Sequence, residues 1–389
     1  MREHVRERHE RAVAIVRDHV SLPVADLAVL LDVSMATVRR DAEILVSEGR
    51  LGRIHGALVW PGTGRPVPTP ARAAPRAAEG TVVGMVVPTM HYSFSEIVQG
   101  ARSVLAMRGA RLVLSLSGYF ADEDRTRIRR LTTSGVHGLL VAPSWEDGAP
   151  GPGEADAVLE ASVPTVLVER WTRTGSPADA LDRVRSDAAH GAGSAVHHLA
   201  SLGHRRIAYA LQNSPHAQQL KAGFETALAT LGLPAAVAPG FGPGTPASES
   251  HRYDLTLEHL RAGVRDHGVT AALVHTDADA VVLLPRLQAL GIRVPEDLAL
   301  VVYDDEVSGL SEPALTAVAP PRHAVGAAAA GLLLDRIDGR AAANTGPPTV
   351  PAPRLHIDLL PQLRVRDSCG ARSPRTDMTV RTNRSLHDS

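Results

Sequence analysis

Apolar residues along the first 60 positions recur with helical spacing. Val5, Ala12, Val13, Val16 and Val20 form one stripe; Val24, Leu27, Ala28 and Leu31, after Pro23, form a second; Val38, Ala42 and Leu45 form a third. Ser34 is placed to cap the third helix and Gly49 to end it. Position 37 is Thr, so the capping box is incomplete. Arg50 to Val59 then reads as a short hairpin carrying Arg53 and His55. From Thr81 the pattern changes to apolar runs alternating with amphipathic helices. Strands are predicted at 81–88, 111–117, 138–143, 164–170, 205–211, 271–276 and 298–304, and helices at 94–107, 122–133, 188–202, 218–231, 255–266 and 278–290. Buried strands separated by helices predict βαβ units in parallel sheets. The pattern restarts near residue 188, which divides this part into two similar α/β halves.

Three helices followed by a hairpin predict a small winged helix-turn-helix over residues 1–60. The fold class expected for the rest is α/β, two doubly wound parallel sheets in a two-lobed arrangement. The predicted partition assigns 81–187 and 320–341 to lobe 1, and 188–318 and 352–366 to lobe 2. Residues 61–80 carry five prolines and three arginines without periodicity and read as a linker, and 369–389 are polar and patternless, as in a disordered tail.

Charge refines this picture without overturning it. The chain has a net charge of −1, and residues 1–60 hold nine Arg against nine Asp plus Glu, so a nucleic-acid surface requires positive charge gathered on one face. On the third predicted helix Met35, Ala36, Arg39, Arg40 and Glu43 point away from the apolar stripe. Short side chains early in a helix let it enter a major groove, and arginines behind them reach phosphates or guanine edges. Ser34, Met35, Ala36, Thr37, Arg39, Arg40, Arg50, Arg53 and His55 are therefore the expected DNA-contacting set. The single lysine, Lys221, reflects base composition of the gene. One cysteine, Cys369, excludes an intramolecular disulfide framework and a Cys-rich zinc site. A charged N-terminus and the lack of any apolar run of membrane length lead to the expectation of a cytoplasmic protein.

The segment VADLAVLLDVSMATVRRDAEILVSEGRLGRIHGAL resembles the DNA-binding module of DeoR-type bacterial regulators, in the VS-x-x-TVRRD core and the G-x-L-x-R-x-HGA end, with Ala57–Leu58 where the family has a second Gly. Residues 81–368 resemble the effector domain of the LacI/GalR family, which is similar to periplasmic sugar-binding proteins. The motifs are Val168–Glu169–Arg170, LASLGHRRIAY (199–209), GIRVPEDLALVVYDD (291–305), PALTAV (313–318) and PQLRVRDS (361–368). In that family a leucine-inserting helix precedes the first strand; here the position is the Pro-rich linker, which puts the usual route from ligand to DNA in question.

The resemblance implies an effector pocket from Tyr92, Ser93 and Phe94 after the first strand, Arg170 after the fourth, Asp187 at the start of the second half, Phe241, Thr276 and Asp277 after a strand, and Asp304 of the YDD motif. Asp277 has an alternative reading as a helix N-cap, Phe94 as core, and Asp305 as structural. The family's Arg ahead of Gly-Phe is Leu220 here, with Lys221 next to it and His216 upstream as further candidates; either Lys221 substitutes or the ligand lacks the group that Arg would bind. The expected partners are an operator duplex, a carbohydrate or nucleoside-like effector and a second copy of the chain, with no membrane. No cofactor or metal is expected: His197–His198 lacks a third ligand at a recognisable spacing. A repressor is the reading these features favour; a solute-binding protein of a sugar transport system is the alternative. An enzyme is disfavoured, because neither a nucleophile site nor a phosphate loop is present.

Overall fold

A computed structural model describes residues 5–19, 21–31, 33, 35–47, 50–54, 57–59, 80–90, 93–235, 249–345 and 353–371. The chain divides into two compact units, Met1–Ala74 and Pro75–Ser389.

The first unit comprises α1 (Val5–His19), β1 (Ser21–Pro23), α2 (Val24–Leu31), α3 (Met35–Ser47), β2 (Gly52–Ile54) and β3 (Ala57–Val59). The three strands form an antiparallel sheet in the order β1-β3-β2, so Leu58 lies opposite both Leu22 and Arg53. Strand β1 was absent from the sequence pattern, because three residues between two helices carry no periodicity. Pro23 ends β1, and the helix opens one residue later. The stripes do close one core: Ala12, Val16, Leu27, Ala28, Leu31, Val38, Ala42 and Leu45 are all buried, joined by Leu51 and Leu58.

The second unit has two sheets. Its elements are β4 (Val82–Val87), α4 (Ser93–Met107), β5 (Arg111–Leu116), α5 (Ala121–Thr133), β6 (Gly138–Val141), α6 (Asp156–Leu159), β7 (Thr165–Val168), β8 (Asp182–Ser186), α7 (Ala188–Ser201), β9 (Ile207–Leu211), α8 (Ala217–Thr230), α9 (Glu249–His267), β10 (Ala271–His275), α10 (Asp277–Ala289), β11 (Ala299–Tyr303), β12 (Thr316–Ala319), α11 (Arg322–Thr345), β13 (His356–Leu359) and β14 (Gln362–Arg364). Lobe 1 is a six-stranded parallel sheet, β13-β8-β7-β6-β4-β5; lobe 2 is a five-stranded sheet, β14-β12-β11-β10-β9, parallel except for β14.

The chain passes between lobes three times, after β8, after β12 and after β13. The last crossing corrects the predicted partition: 352–366 does not belong to lobe 2 as a whole, because β13 pairs with β8 in lobe 1 and only β14 joins β12 in lobe 2. The two strands are a few residues apart and similar in pattern, so only pairing distinguishes them.

Lobe 1 is closed by α11 lying on α4. A Cβ on Gly100 would stand 1.9 Å from the His323 carbonyl oxygen, and one on Gly326 would stand 1.9 Å from that of Ile97. Only glycine permits so close a backbone approach. Every strand of the two sheets runs toward the other lobe at its carboxyl end except β14, and this places the loops that follow them around one cleft.

Candidate functional site

In the first unit, α3 presents Arg40 to solvent with Ile44 one turn on, while Thr37 is half-buried. The next residue, Asp41, turns inward and is 5% exposed. Its carboxylate accepts from Arg8 Nε at 2.6 Å and Nη2 at 3.1 Å, and from His9 Nε2 at 3.1 Å. Burial alone would raise the Asp41 carboxyl; the bonds from Arg8 and His9 outweigh it and hold the group below its ordinary value. Arg50, expected on DNA, pairs with Glu10 of α1 at 2.9 Å, which ties the base of the hairpin to the first helix. Ser34 and His55 lie outside the described residues, as do the side chains of Met35, Ala36, Arg39 and Arg53.

In the second unit, a cavity of about 400 Å³ lies between the lobes. Lobe 1 supplies Phe94 and Ile97 of α4, Tyr119 after β5, Glu169 and Arg170 after β7, and Ser186 at the end of β8. Lobe 2 supplies Gln212, Ser214 and His216 after β9, Arg252 and Tyr253 of α9, His275 to Asp279 after β10, and Tyr303, Asp304 and Glu306 after β11. Pro320 and Arg322 of the second crossing complete it.

The three non-glycine residues with positive φ among those described, Tyr119 (65°), Glu169 (52°) and Asp304 (79°), all line this cavity. Each sits where a strand ends and the chain must turn sharply to aim a side chain. Strain gathered at one place and held there by surrounding structure is a mark of a functional site.

The electrostatics are equally concentrated. Arg322, the first residue of α11, holds Asp304 at 2.6 Å and Glu306 at 2.5 Å. Burial pushes the Glu306 carboxyl up to about 7, with Arg322 opposing and Asp304 and Asp277 adding to the rise. Glu169 is buried and accepts from the Ser186 amide at 3.1 Å and its hydroxyl at 2.7 Å; burial raises its carboxyl despite these bonds. Arg170 is 1% exposed and clamps the loop after β6, donating through Nε to the Pro143 carbonyl. Burial lowers its guanidinium to about 10, which leaves it charged at neutral pH. Burial, with Arg170 next, pushes the His216 imidazole down to about 3, so that ring is neutral. Asp279 gathers Gln212 Nε2, Tyr253 Oη at 3.0 Å and Arg252 Nη2 at 3.8 Å.

The structure brings together six residues of the predicted set: Phe94, Arg170, His216, Thr276, Asp277 and Asp304. Phe94 serves in the lobe 1 core as well as in the cavity wall. Two others are placed elsewhere. Asp187 caps α7, accepting from the His190 amide at 2.9 Å, and does not line the cavity. Lys221 is not in the cavity wall; it lies on the exposed side of α8, facing Glu225 at 3.9 Å. One position within a helical turn separates Leu220, which is buried, from Lys221, so adjacency in sequence could not make the substitution. Tyr92 and Phe241, together with the side chain of Ser93, fall outside the described residues.

Asp277 is not an N-cap. Thr276 has that place, while Asp277 Oδ2 accepts from the amides of Glu306, Val307 and Ser308 at 2.7, 2.7 and 3.1 Å and from Ser308 Oγ at 3.0 Å. Asp305 is structural, held by Arg364 at 2.6 Å and Arg366 at 2.7 Å. Tyr119, Glu169, Arg252, Tyr253, Asp279, Glu306 and Arg322 line the cavity without standing in the predicted set. Glu169 and Glu306 have a signal, each a carboxylate at the end of a strand motif, and so has Arg322, a charged residue directly after Pro320–Pro321 at a crossing between halves.

Fold and site together define a helix-turn-helix unit carried in one chain with a two-lobed α/β unit that encloses a polar, small-molecule-sized cavity. Residues 8–63 match the DeoR-like helix-turn-helix domain family and residues 196–369 the periplasmic binding protein-like domain family. The chain is similar to the arabinose metabolism transcriptional repressor of Geobacillus stearothermophilus, 26% identical with 88% of this chain and 89% of the relative covered. It is also similar to the transcriptional repressor CytR of Escherichia coli K12, 25% identical with 83% and 92% covered. Among solved structures, the transcriptional regulator CelR–cellobiose complex superposes with a TM-score of 0.60 at 24% identity, covering 86% of this chain and 91% of that one.

Proposed function

We propose that this chain is a ligand-responsive, sequence-specific DNA-binding transcriptional repressor whose operator binding is controlled by a small molecule in the interlobe cavity. The observation that carries this reading is the joining, in one chain, of a helix that exposes Arg40 beside a buried apolar stripe and a cavity walled by strained strand ends. The cavity mixes carboxylates, guanidinium groups and the rings of Phe94, Tyr119 and Tyr253. Such a set donates to and accepts from vicinal hydroxyls while a ring face packs on apolar carbons, which suits a carbohydrate or a nucleoside. The arabinose-related relative and the cellobiose-bound structural neighbour accord with the carbohydrate half of that class.

In this reading the head is of the DeoR type, with α3 in the major groove and the β2–β3 hairpin beside it, and a dimer places two copies on successive half-sites. Ligand bridging the lobes changes the relative orientation of the strand-end loops, and the difference in affinity between the two cleft states is what biases DNA binding. The relatives are regulators by name, which favours binding over turnover as the role of the cavity. The test is a thermal-shift screen of pentoses, hexoses, disaccharides and nucleosides, followed by gel-shift titration of each hit against duplexes enriched from a random pool. A hit that raises the melting temperature and alters DNA affinity is the expected result. A protein that enriches no duplex sequence, or a hit that is consumed on incubation, would overturn it.

A further inference from the structure

The apolar stripe of α3 consists of Val38, Ala42 and Leu45, all but fully buried. Side chains this small and smooth secure burial, but they define the rotation of the helix about its own axis weakly, since dispersion and hydrophobic contact are not directional. Side chains reach about 5–6 Å from a helix axis, so a roll of about 20° moves a side-chain end about 2 Å, enough to break a base contact. Something directional has to fix that angle. Asp41 is the residue after Arg40, on the border between the buried stripe and the exposed face. Its carboxylate receives a two-pronged bond from Arg8 and a third from His9. An Arg–carboxylate fork has one good planar geometry, and here it is 7% exposed on the Asp side and 13% on the Arg side. The next residue of α1, Glu10, holds Arg50 at the root of the hairpin. Three consecutive side chains of α1 therefore address the helix and the hairpin that read DNA.

We propose that Asp41, gripped by Arg8 and His9, is a positioning residue that sets the roll of α3 and so governs the chain's DNA sequence preference without touching DNA. The inference rests on the reading of α3 as the recognition helix. It assigns a role in specificity to Asp41 and His9, which are buried, and to Arg8, whose side chain is 13% exposed. Asp41 also places a negative charge beside Arg40, and the Arg8 and His9 bonds turn that charge inward, away from a duplex.

The experiment uses the full chain and a randomised duplex pool. Sequences enriched by the wild type serve as the specific probe and the unselected pool as the non-specific one. Asp41→Asn and Arg8→Lys are measured below both melting temperatures, with helical content checked by circular dichroism. Asparagine keeps the shape but loses the charge, and lysine keeps the charge but cannot form the fork. The expected result is a fall of about tenfold or more in the ratio of specific to non-specific affinity for both variants. The slope of non-specific binding against salt should stay unchanged, because no phosphate contact is removed. A ratio equal to that of the wild type in a folded variant overturns the proposal and leaves the cluster a stabilising one, even if the melting temperature falls. If Asp41→Asn does not fold, Arg8→Lys decides alone. A wild type that enriches no sequence overturns the function proposed above and this inference with it, whereas normal enrichment with unaltered variants overturns the inference only.

Discussion

Arg322 Nη2 lies 2.6 Å from Asp304 Oδ1 across the boundary between the lobes. Arg322 opens α11, which packs on lobe 1, and Asp304 follows β11 of lobe 2. The same guanidinium holds Glu306 at 2.5 Å, and the three side chains are 8%, 16% and 20% exposed. Replacing Arg322 by Ala leaves two carboxylates in a dehydrated cleft without their cation. Breaking a buried pair from one side costs about 3–5 kcal/mol. The melting temperature should fall by about 6 °C, given about 2.1 cal/mol/K of unfolding entropy per residue over the second unit. Differential scanning calorimetry of Arg322→Ala measures this; a fall within a degree or two would mean that solvent already screens the cluster.

Glu306 makes the cluster sensitive to pH. Burial raises its carboxyl from 4.5 to about 7, so the folded cleft favours the protonated form. Such a group contributes stability that is complete below its unfolded value and is lost as pH rises through the folded one. The window is therefore about pH 4.5 to 7. Glu306→Gln mimics the protonated acid at every pH. Its melting temperature relative to wild type should climb between pH 5 and pH 8, and a difference that stays flat across this range would sink the assignment.

Asp277 organises the turn that carries Glu306. One oxygen accepts three amides and a hydroxyl from residues 306 to 308, and the residue is 2% exposed. Asp277→Ala strands those donors where water reaches them poorly, at a cost of about 2–4 kcal/mol. Ligand binding, measured by calorimetry with any hit from the screen, should weaken more than tenfold, because Glu306 and Asp304 lose their fixed positions. Wild-type affinity in Asp277→Ala would show that the turn does not shape the site.

The fold was largely legible because apolar periodicity is set by burial, and β6 and β7 of one sheet and β9 to β12 of the other are buried on both faces. Lobe membership near the C-terminus was not, since β13 and β14 differ in partner and not in pattern. The site was half legible. Residues directly after a strand, such as Arg170, Thr276 and Asp304, follow from the rule that ligands meet strand ends. Arg252, Tyr253 and Asp279 reach the cavity from inside helices, where their spacing looks like any half-exposed helical face. Lys221 shows the opposite error, a plausible residue type turned outward by one step of helical rotation. Arg8 and His9 carried no signal at all, because their partner Asp41 is 33 and 32 residues away.

The exposed face of α3 gives the last prediction. Arg40 is exposed while its neighbours Val38, Asp41 and Ala42 are buried, so it is the described basic side chain of that helix turned to solvent. Replacing Arg39 and Arg40 together by Ala should abolish operator binding in a gel-shift titration and leave ligand-induced thermal shifts intact. Arg40→Ala alone should lower operator affinity about tenfold, and the salt dependence then tells what it holds. A phosphate contact predicts a salt slope shallower by about 0.9 per site with preference retained. A guanine contact predicts an unchanged slope with relaxed preference at one base pair, worth about 1–3 kcal/mol. The neutral balance of residues 1–60 makes this distinction sharp, because the other eight arginines are matched by nine Asp plus Glu and leave no net positive charge to compensate. Unchanged affinity in the double variant would move the DNA-reading surface off α3 altogether.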